Sequence, residues 1–151
     1  MDKYLIVEAT ADPKDAAAYT ANDVVGGLLT FSLDGAVVNG GILNSAYFVD
    51  DDNEGAELDL YLFSAAPTAI ADDAAFAPSA ADLKKMFAVI NVETTDYLTV
   101  NSLKYAYKKD INQIIKSDGG QKIYGYLVAV GTPTYAADKT ILIRLSIVSE
   151  R

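Results

Sequence analysis

Ile141-Leu142-Ile143-Arg144-Leu145-Ser146-Ile147-Val148 is the stretch that decides the fold. Ile141, Ile143, Leu145 and Ile147 recur at every second position, with Leu142, Arg144, Ser146 and Val148 between them. A period of two sends alternate side chains to opposite faces, so the segment reads as a half-buried strand. The same alternation sets Leu58, Leu60 and Leu62 against Asp59, Tyr61 and Phe63, and Tyr124, Tyr126, Val128 and Val130 against the smaller Gly125 and Ala129. The β-branched and aromatic residues in these runs suit a pleated surface.

Extending the pattern along the chain predicts about eight strands. They fall at Lys3–Ala9, Val24–Leu33, Gly41–Asp50, Glu57–Phe63, Phe87–Val92, Tyr97–Lys108, Gln121–Val130 and Thr140–Ser149. Turn residues separate them: Asn39-Gly40-Gly41, Asp118-Gly119-Gly120 and Asp34-Gly35 can supply positive φ. One short helix is predicted near 79–86, where Ser79 is a good N-cap and Asp82 sits in a capping-box-like position before Leu83, Met86 and Phe87. Around Asp110–Lys116 the spacing of Ile111, Ile114 and Ile115 suits a helical turn or a strand equally. The expected fold is all-β: a two-sheet antiparallel β-sandwich of jelly-roll type. An immunoglobulin-like sandwich is the rival, though its cysteine pair and core tryptophan are missing. No linker or composition break divides residues 1–151, so a single domain is expected. Pro67-Thr68-Ala69-Ile70-Ala71-Asp72 and Pro133-Thr134-Tyr135-Ala136-Ala137-Asp138 echo each other, as loops at equivalent corners of paired sheets or by coincidence in an alanine-rich chain.

Composition excludes more than it assigns. The 151 residues contain no histidine, cysteine or tryptophan. That removes Ser-His-Asp and Cys-His catalysis, zinc sites of the usual ligand sets and any disulfide framework. The net charge of −9 argues against nucleic acid and anionic membrane as partners. No apolar run is long enough to span a bilayer, and Met1–Glu8 shows no secretion signal. Residues 1–75 carry 14 acidic and 2 basic side chains, whereas residues 76–151 carry 7 and 10. Either the two halves interleave and the charges mix, or one surface is acidic and another mildly basic.

Five groups of residues invite a chemical reading. Asp50-Asp51-Asp52-Asn53-Glu54 offers oxygen ligands for calcium, but placing Asp50 first in an EF-hand loop puts Tyr61 where a bidentate glutamate belongs. The run reads instead as a solvated hairpin turn between the strand ending at Asp50 and the one starting at Glu57. Asp72 and Asp73 are adjacent carboxylates, and sequence neighbours rarely face each other across a glycosidic bond. Tyr47, Tyr61, Tyr97, Tyr105, Tyr107, Tyr124 and Tyr126 lie on predicted strands, where they either pack in the core or offer a face for sugars or a protein. Lys104, Lys108 and Lys109 are too few for nucleic acid but could meet an acidic partner. Gly26-Gly27 lacks a phosphate-loop pattern and marks a bulge or a close backbone approach. No catalytic, cofactor-binding or metal residue is assigned.

Four stretches, taken in order, resemble small structural proteins encoded near the capsid genes of tailed bacteriophages. They are Tyr19–Gly27, Leu58–Phe63, Asp73–Asp82 and Tyr124–Tyr135, and the resemblance spans 19–148. It implies a non-enzymatic virion component, a capsid decoration or cement protein that ties neighbouring shell subunits together as a trimer or dimer. The major capsid protein is the implied partner. The implied location is the capsid exterior, after synthesis in the host cytoplasm. A tail or head–tail connector role, or a carbohydrate- or host-surface-binding module, is the alternative.

Overall fold

The structure, a computed structural model, describes residues 3–14, 17–33, 40–118 and 120–149. Ten strands form: β1 (Lys3–Ala11), β2 (Val24–Ser32), β3 (Gly40–Asp50), β4 (Leu58–Phe63), β5 (Met86–Val92), β6 (Tyr97–Val100), β7 (Leu103–Lys108), β8 (Gln113–Lys116), β9 (Lys122–Ala129) and β10 (Ile141–Ser149). One α-helix among the described residues, α1 (Ala80–Leu83), precedes β5, and a short 3-10 helix (Thr94–Asp96) follows it. Seven of the predicted strands lie within two residues of their expected ends. The eighth, Tyr97–Lys108, is a hairpin. Asn101 and Ser102 both adopt positive φ (50° and 65°), the tight-turn geometry that reverses a chain in two residues, so Val100 pairs with Leu103. The ambiguous segment around 110–116 contributes a strand, β8. Asn39, Asp34-Gly35 and Gly119 of the predicted turns lie outside the described residues.

Pairing is nested and antiparallel: β1 with β10, β2 with β9, β3 with β8 and β7 in series, and β4 with β5. One long hairpin folded over on itself gives this order. A six-stranded sheet runs β1-β10-β3-β7-β6 with β8 also on β3, and a four-stranded sheet runs β2-β9-β4-β5. This is a jelly roll. The immunoglobulin-like rival falls because it keeps its first two strands in one sheet, whereas β1 and β2 lie in different sheets. Every strand of the acidic first half pairs with a strand of the second half, so the charges interleave. Glu8 stands opposite Arg144, and Asp50 opposite Lys104. The two echoed loops do not occupy equivalent corners, because they follow β4 and β9, which are antiparallel neighbours and end at opposite edges.

The core lies between the sheets. Ile141, Ile143, Leu145 and Ile147 point inward together with Leu58, Leu60 and Leu62, all of them buried. Removing such side chains from water contributes about 1.5–3 kcal/mol each. A second cluster forms on the opposite side of the four-stranded sheet. There the connection from β4 to β5 folds back over the strands and buries Phe63, Phe76 and Tyr126. Polar contacts pin this cover. The Tyr126 hydroxyl accepts from the Ile70 amide (2.9 Å) and donates to the Thr68 carbonyl (3.0 Å). The Asp72 carboxylate accepts from the Tyr19 hydroxyl (2.7 Å) and from the amides of Gly26 (2.6 Å) and Lys14 (2.8 Å).

The helix covers only Ala80–Leu83, one turn where about two were expected over 79–86. Ser79 caps it, accepting from the Asp82 amide at 3.1 Å while its hydroxyl donates to the Asp82 carboxylate at 2.9 Å. The same carboxylate takes the Thr68 amide and the Lys85 ammonium, both at 3.1 Å. The Ser64 amide then donates to the Lys85 carbonyl at 2.8 Å and draws the chain back into the sheet before a second turn can form.

Gly26 and Gly27 make the bulge that lets β2 keep its pairing with β9, whose register shifts between Val25 and Leu29. Both have positive φ (83° and 75°), but only Gly26 is crowded: a Cβ there would lie 2.6 Å from the Asp12 amide nitrogen and 2.7 Å from Ala11 Cβ. Gly26→Ala therefore combines a left-handed penalty of about 1–2 kcal/mol with an overpacking cost of about 1–3 kcal/mol. Gly27→Ala, with open space around it, incurs only the first. Urea unfolding of the two variants is expected to place Gly26→Ala clearly below Gly27→Ala in stability.

Candidate functional site

The two sheets differ in what covers their outer faces. The four-stranded sheet has the β4–β5 connection; on the six-stranded sheet no described residue plays that part. Strand alternation sends Tyr4 and Ile6 of β1, Tyr47 and Val49 of β3, Tyr105 and Tyr107 of β7, and Leu142 and Val148 of β10 to this outer face. Leu98 and Val100 on β6 and Ile114 on β8 extend it. An outer face on a soluble sandwich ordinarily alternates to polar residues. Here Tyr4 is 71% exposed, Ile6 63%, Ile114 72% and Leu98 59%, a contiguous apolar surface of the kind that marks an interaction site.

A shallow groove of about 480 Å³ crosses the middle of this face. Ser45 and Ser146, register partners on β3 and β10, are lined up in it with Ile6, Arg144 and the rings of Tyr47, Tyr105 and Tyr107. The Tyr47 ring lies 6.0 Å from Tyr105 and 6.3 Å from Tyr107, centroid to centroid, at 44° and 64°. Arg144 is held in place twice: its Nε donates to Glu8 Oε1 at 2.7 Å, and its guanidinium carbon sits 5.8 Å from the Tyr47 centroid. The groove thus has aromatic walls, small hydroxyl side chains and one paired charge.

The other residues of chemical interest are taken up by structure. Tyr61 and Tyr126 lie beneath the cover with Phe76, whose ring is 4.4 Å from Tyr61 and 5.8 Å from Tyr126. Tyr97 is buried in the core, and Tyr124 packs against the second cluster. Of the seven strand tyrosines, only Tyr47, Tyr105 and Tyr107 share the open face. On β7 the lysines alternate away from these rings: Lys108 pairs with Asp96 at 2.8 Å, and the Lys104 stem lies over Gly55. No mixed lysine–tyrosine patch forms. Asp72, with its three donors, serves the cover.

The acidic run 50–54 is not a hairpin turn, because β3 and β4 belong to different sheets. It is a crossing between sheets, and its carboxylates act as acceptors. Asp50 takes the amides of Gly55 (2.8 Å) and Asp52 (2.9 Å). Asp51 takes the Thr140 hydroxyl (3.1 Å), Asp52 the Ala136 amide (2.8 Å) and Glu54 the Thr134 amide (3.4 Å). The run thereby fastens the crossing to the loop between β9 and β10. Among the described residues no group of three or more acidic side chains could hold a metal ion. Burial pushes the Asp50 carboxyl above its usual range against the pull of those two amides. Burial, with the Asp50 charge second, also raises the phenols of Tyr97 and Tyr135. Their hydroxyls are buried without a hydrogen-bond partner among the described residues, so both stay neutral.

Burial also tends to raise Asp82, but its hydrogen bonds from Thr68, Lys85 and Ser79 prevail and hold it well below the usual range. The two shifts act oppositely on stability. Asp50, raised in the folded state, contributes stability that is present below pH 3.8 and is lost as pH rises through its folded value. Asp82, lowered, contributes stability that is present above pH 3.8 and is lost as pH falls through its folded value. Carbon-13 NMR titration is expected to place Asp50 above 3.8 and Asp82 below it. Asp82→Asn should lower the thermal midpoint at neutral pH and lose less than the parent on acidification.

No protein-family model matches the chain, and a search of curated proteins finds no match. Comparison with solved structures finds a chain from tomato aspermy virus at 10% identity, TM-score 0.37, covering 99% of this chain and 78% of that one. A chain from sacbrood virus of honeybee is 9% identical, TM-score 0.36, covering 99% and 70%. The PRD1 vertex protein P5 is 10% identical, TM-score 0.32, covering 94% and 95%. The strand order of the two sheets, not these likenesses, defines the fold.

Proposed function

We propose that this protein is a non-enzymatic structural component of a tailed-phage virion, a decoration or cement protein that binds the assembled head and stabilises it. The observation that carries this reading is the uncovered apolar face of the six-stranded sheet. Such a molecule works by burying surface, and repetition over a shell multiplies modest contacts. The resemblance of four ordered stretches to phage structural proteins supplies the shell as the assembly that it joins. The major capsid protein is then the partner and the capsid exterior the place, reached after synthesis in the host cytoplasm. The experiment is a binding isotherm of purified protein on assembled heads that lack it. Saturable binding at a fixed number of copies per head, with a raised disruption temperature of the particle, is the expected result; no binding to intact heads overturns the reading.

A second reading has one observation in its favour. The rings of Tyr47, Tyr105 and Tyr107 around Ser45 and Ser146 offer stacking surfaces and hydroxyls suited to a sugar. A glycan array tests it: reproducible binding abolished by Tyr107→Ala supports a carbohydrate-binding module, and a blank array removes it.

A further inference from the structure

We propose that the outer face of the six-stranded sheet is the surface on which two copies of this chain pack face to face across a two-fold axis. The inference rests on the reading of the protein as an assembly component and names what this face touches.

Three observations favour a second copy. The first is charge. The chain carries −9, which opposes self-association wherever acidic surfaces meet. Among the described strand residues, the outward positions of this face carry Glu8, Arg144 and Lys116 as charged residues, and each is paired: Glu8 with Arg144 at 2.7 Å, Lys116 with Asp118 at 3.4 Å. Here two acidic bodies can approach with no net charge between them. The second is size. Five strands of the path at ~4.8 Å spacing span ~24 Å, and the nine residues of β10 run ~30 Å. The resulting footprint of ~700 Å² is close to the ~800 Å² that each partner contributes to a stable interface.

The third is self-complementarity. The strand order is asymmetric about the groove: aliphatic Ile6 lies on β1 at one side, aromatic Tyr105 and Tyr107 on β7 at the other. A two-fold axis between the faces, running along β10 and β3, sets β1 of one copy over β7 and β8 of the next. The register then lays Tyr4, level with Val148, Ile42 and Ile114, over Ile114 of the other copy, and brings Ile6 within one same-face step of Tyr107, each twice, as an isologous interface requires. Aromatic rings against an aliphatic side chain give large apolar contact with little ordering of flexible groups.

Sedimentation equilibrium of the full chain is expected to show a dimer, weakened at least tenfold by Ile6→Asp and by Tyr107→Asp, each with an unchanged circular dichroism spectrum. The absence of native cysteine permits a sharper measurement. The double variant Tyr4→Cys/Ile114→Cys should cross-link to twice the mass on oxidation, and neither single variant should. The two positions are three strands apart within one chain, too far for an internal disulfide. A monomer at tens of micromolar, a trimer, or a dimer that neither aspartate variant weakens would overturn the proposal. Binding to heads is read separately. A monomer that binds heads and loses this with Ile6→Asp assigns the face to the shell. A dimer that binds no head leaves this inference standing and removes the virion reading.

Discussion

The placement of β10 between β1 and β3 is the constraint on which the rest of the structure depends. Its inner side chains, Ile141, Ile143, Leu145 and Ile147, occupy the middle of the core, and its outer ones, Arg144 and Ser146, line the groove. Both of its edges are paired over nearly their whole length. Without β10, β1 has no neighbour in its sheet and β3 loses one of its flanks. Closing the six-stranded sheet therefore waits for a pairing between residues at opposite ends of the sequence. Non-local order of this kind forms slowly, because loop closure costs entropy before the contacts reward it.

Much of this was legible in the residues. Alternation located the strands because a half-buried sheet imposes a period of two, and Ser79 with Asp82 announced the helix start. What alternation cannot say is which face turns inward when both are apolar. On β3, Phe48 and Ala46 alternate with Tyr47 and Val49, and nothing local distinguishes the buried pair from the open one. The open face was hidden for that reason, although Tyr47, Tyr105 and Tyr107 were all candidates. Asn101-Ser102 escaped notice because it carries no glycine, although the outward residues change parity across it, from Leu98 and Val100 to Tyr105 and Tyr107; two consecutive positive φ values reverse the chain there. The β4–β5 cover was invisible because its fastening is long-range. Asp72 and Asp82 look like any solvated aspartates until Tyr19, Gly26, Thr68 and Lys85 arrive from elsewhere.

The aspartates also explain how an acidic chain uses its charge internally. Asp50, Asp72 and Asp82 each collect two or more donors, mostly backbone amides of irregular segments. An ionised carboxylate accepts such bonds more strongly than a neutral oxygen does. Where the chain leaves a sheet and amides lose their ladder partners, an aspartate takes them. The acidic run at 50–54 belongs to this scheme, fastening one crossing to another loop.

The pairing of β1 with β10 sets Lys3 beside Ser149 at one corner of the sheet. A pull applied through these two ends would load the β1–β10 hydrogen bonds one pair at a time, as a zip is opened, so the strands part at low force. A pull applied through the outer face would instead spread across several strands at once. Mechanically, the sheet yields more readily to a load that peels β1 from β10 than to one spread over its broad side.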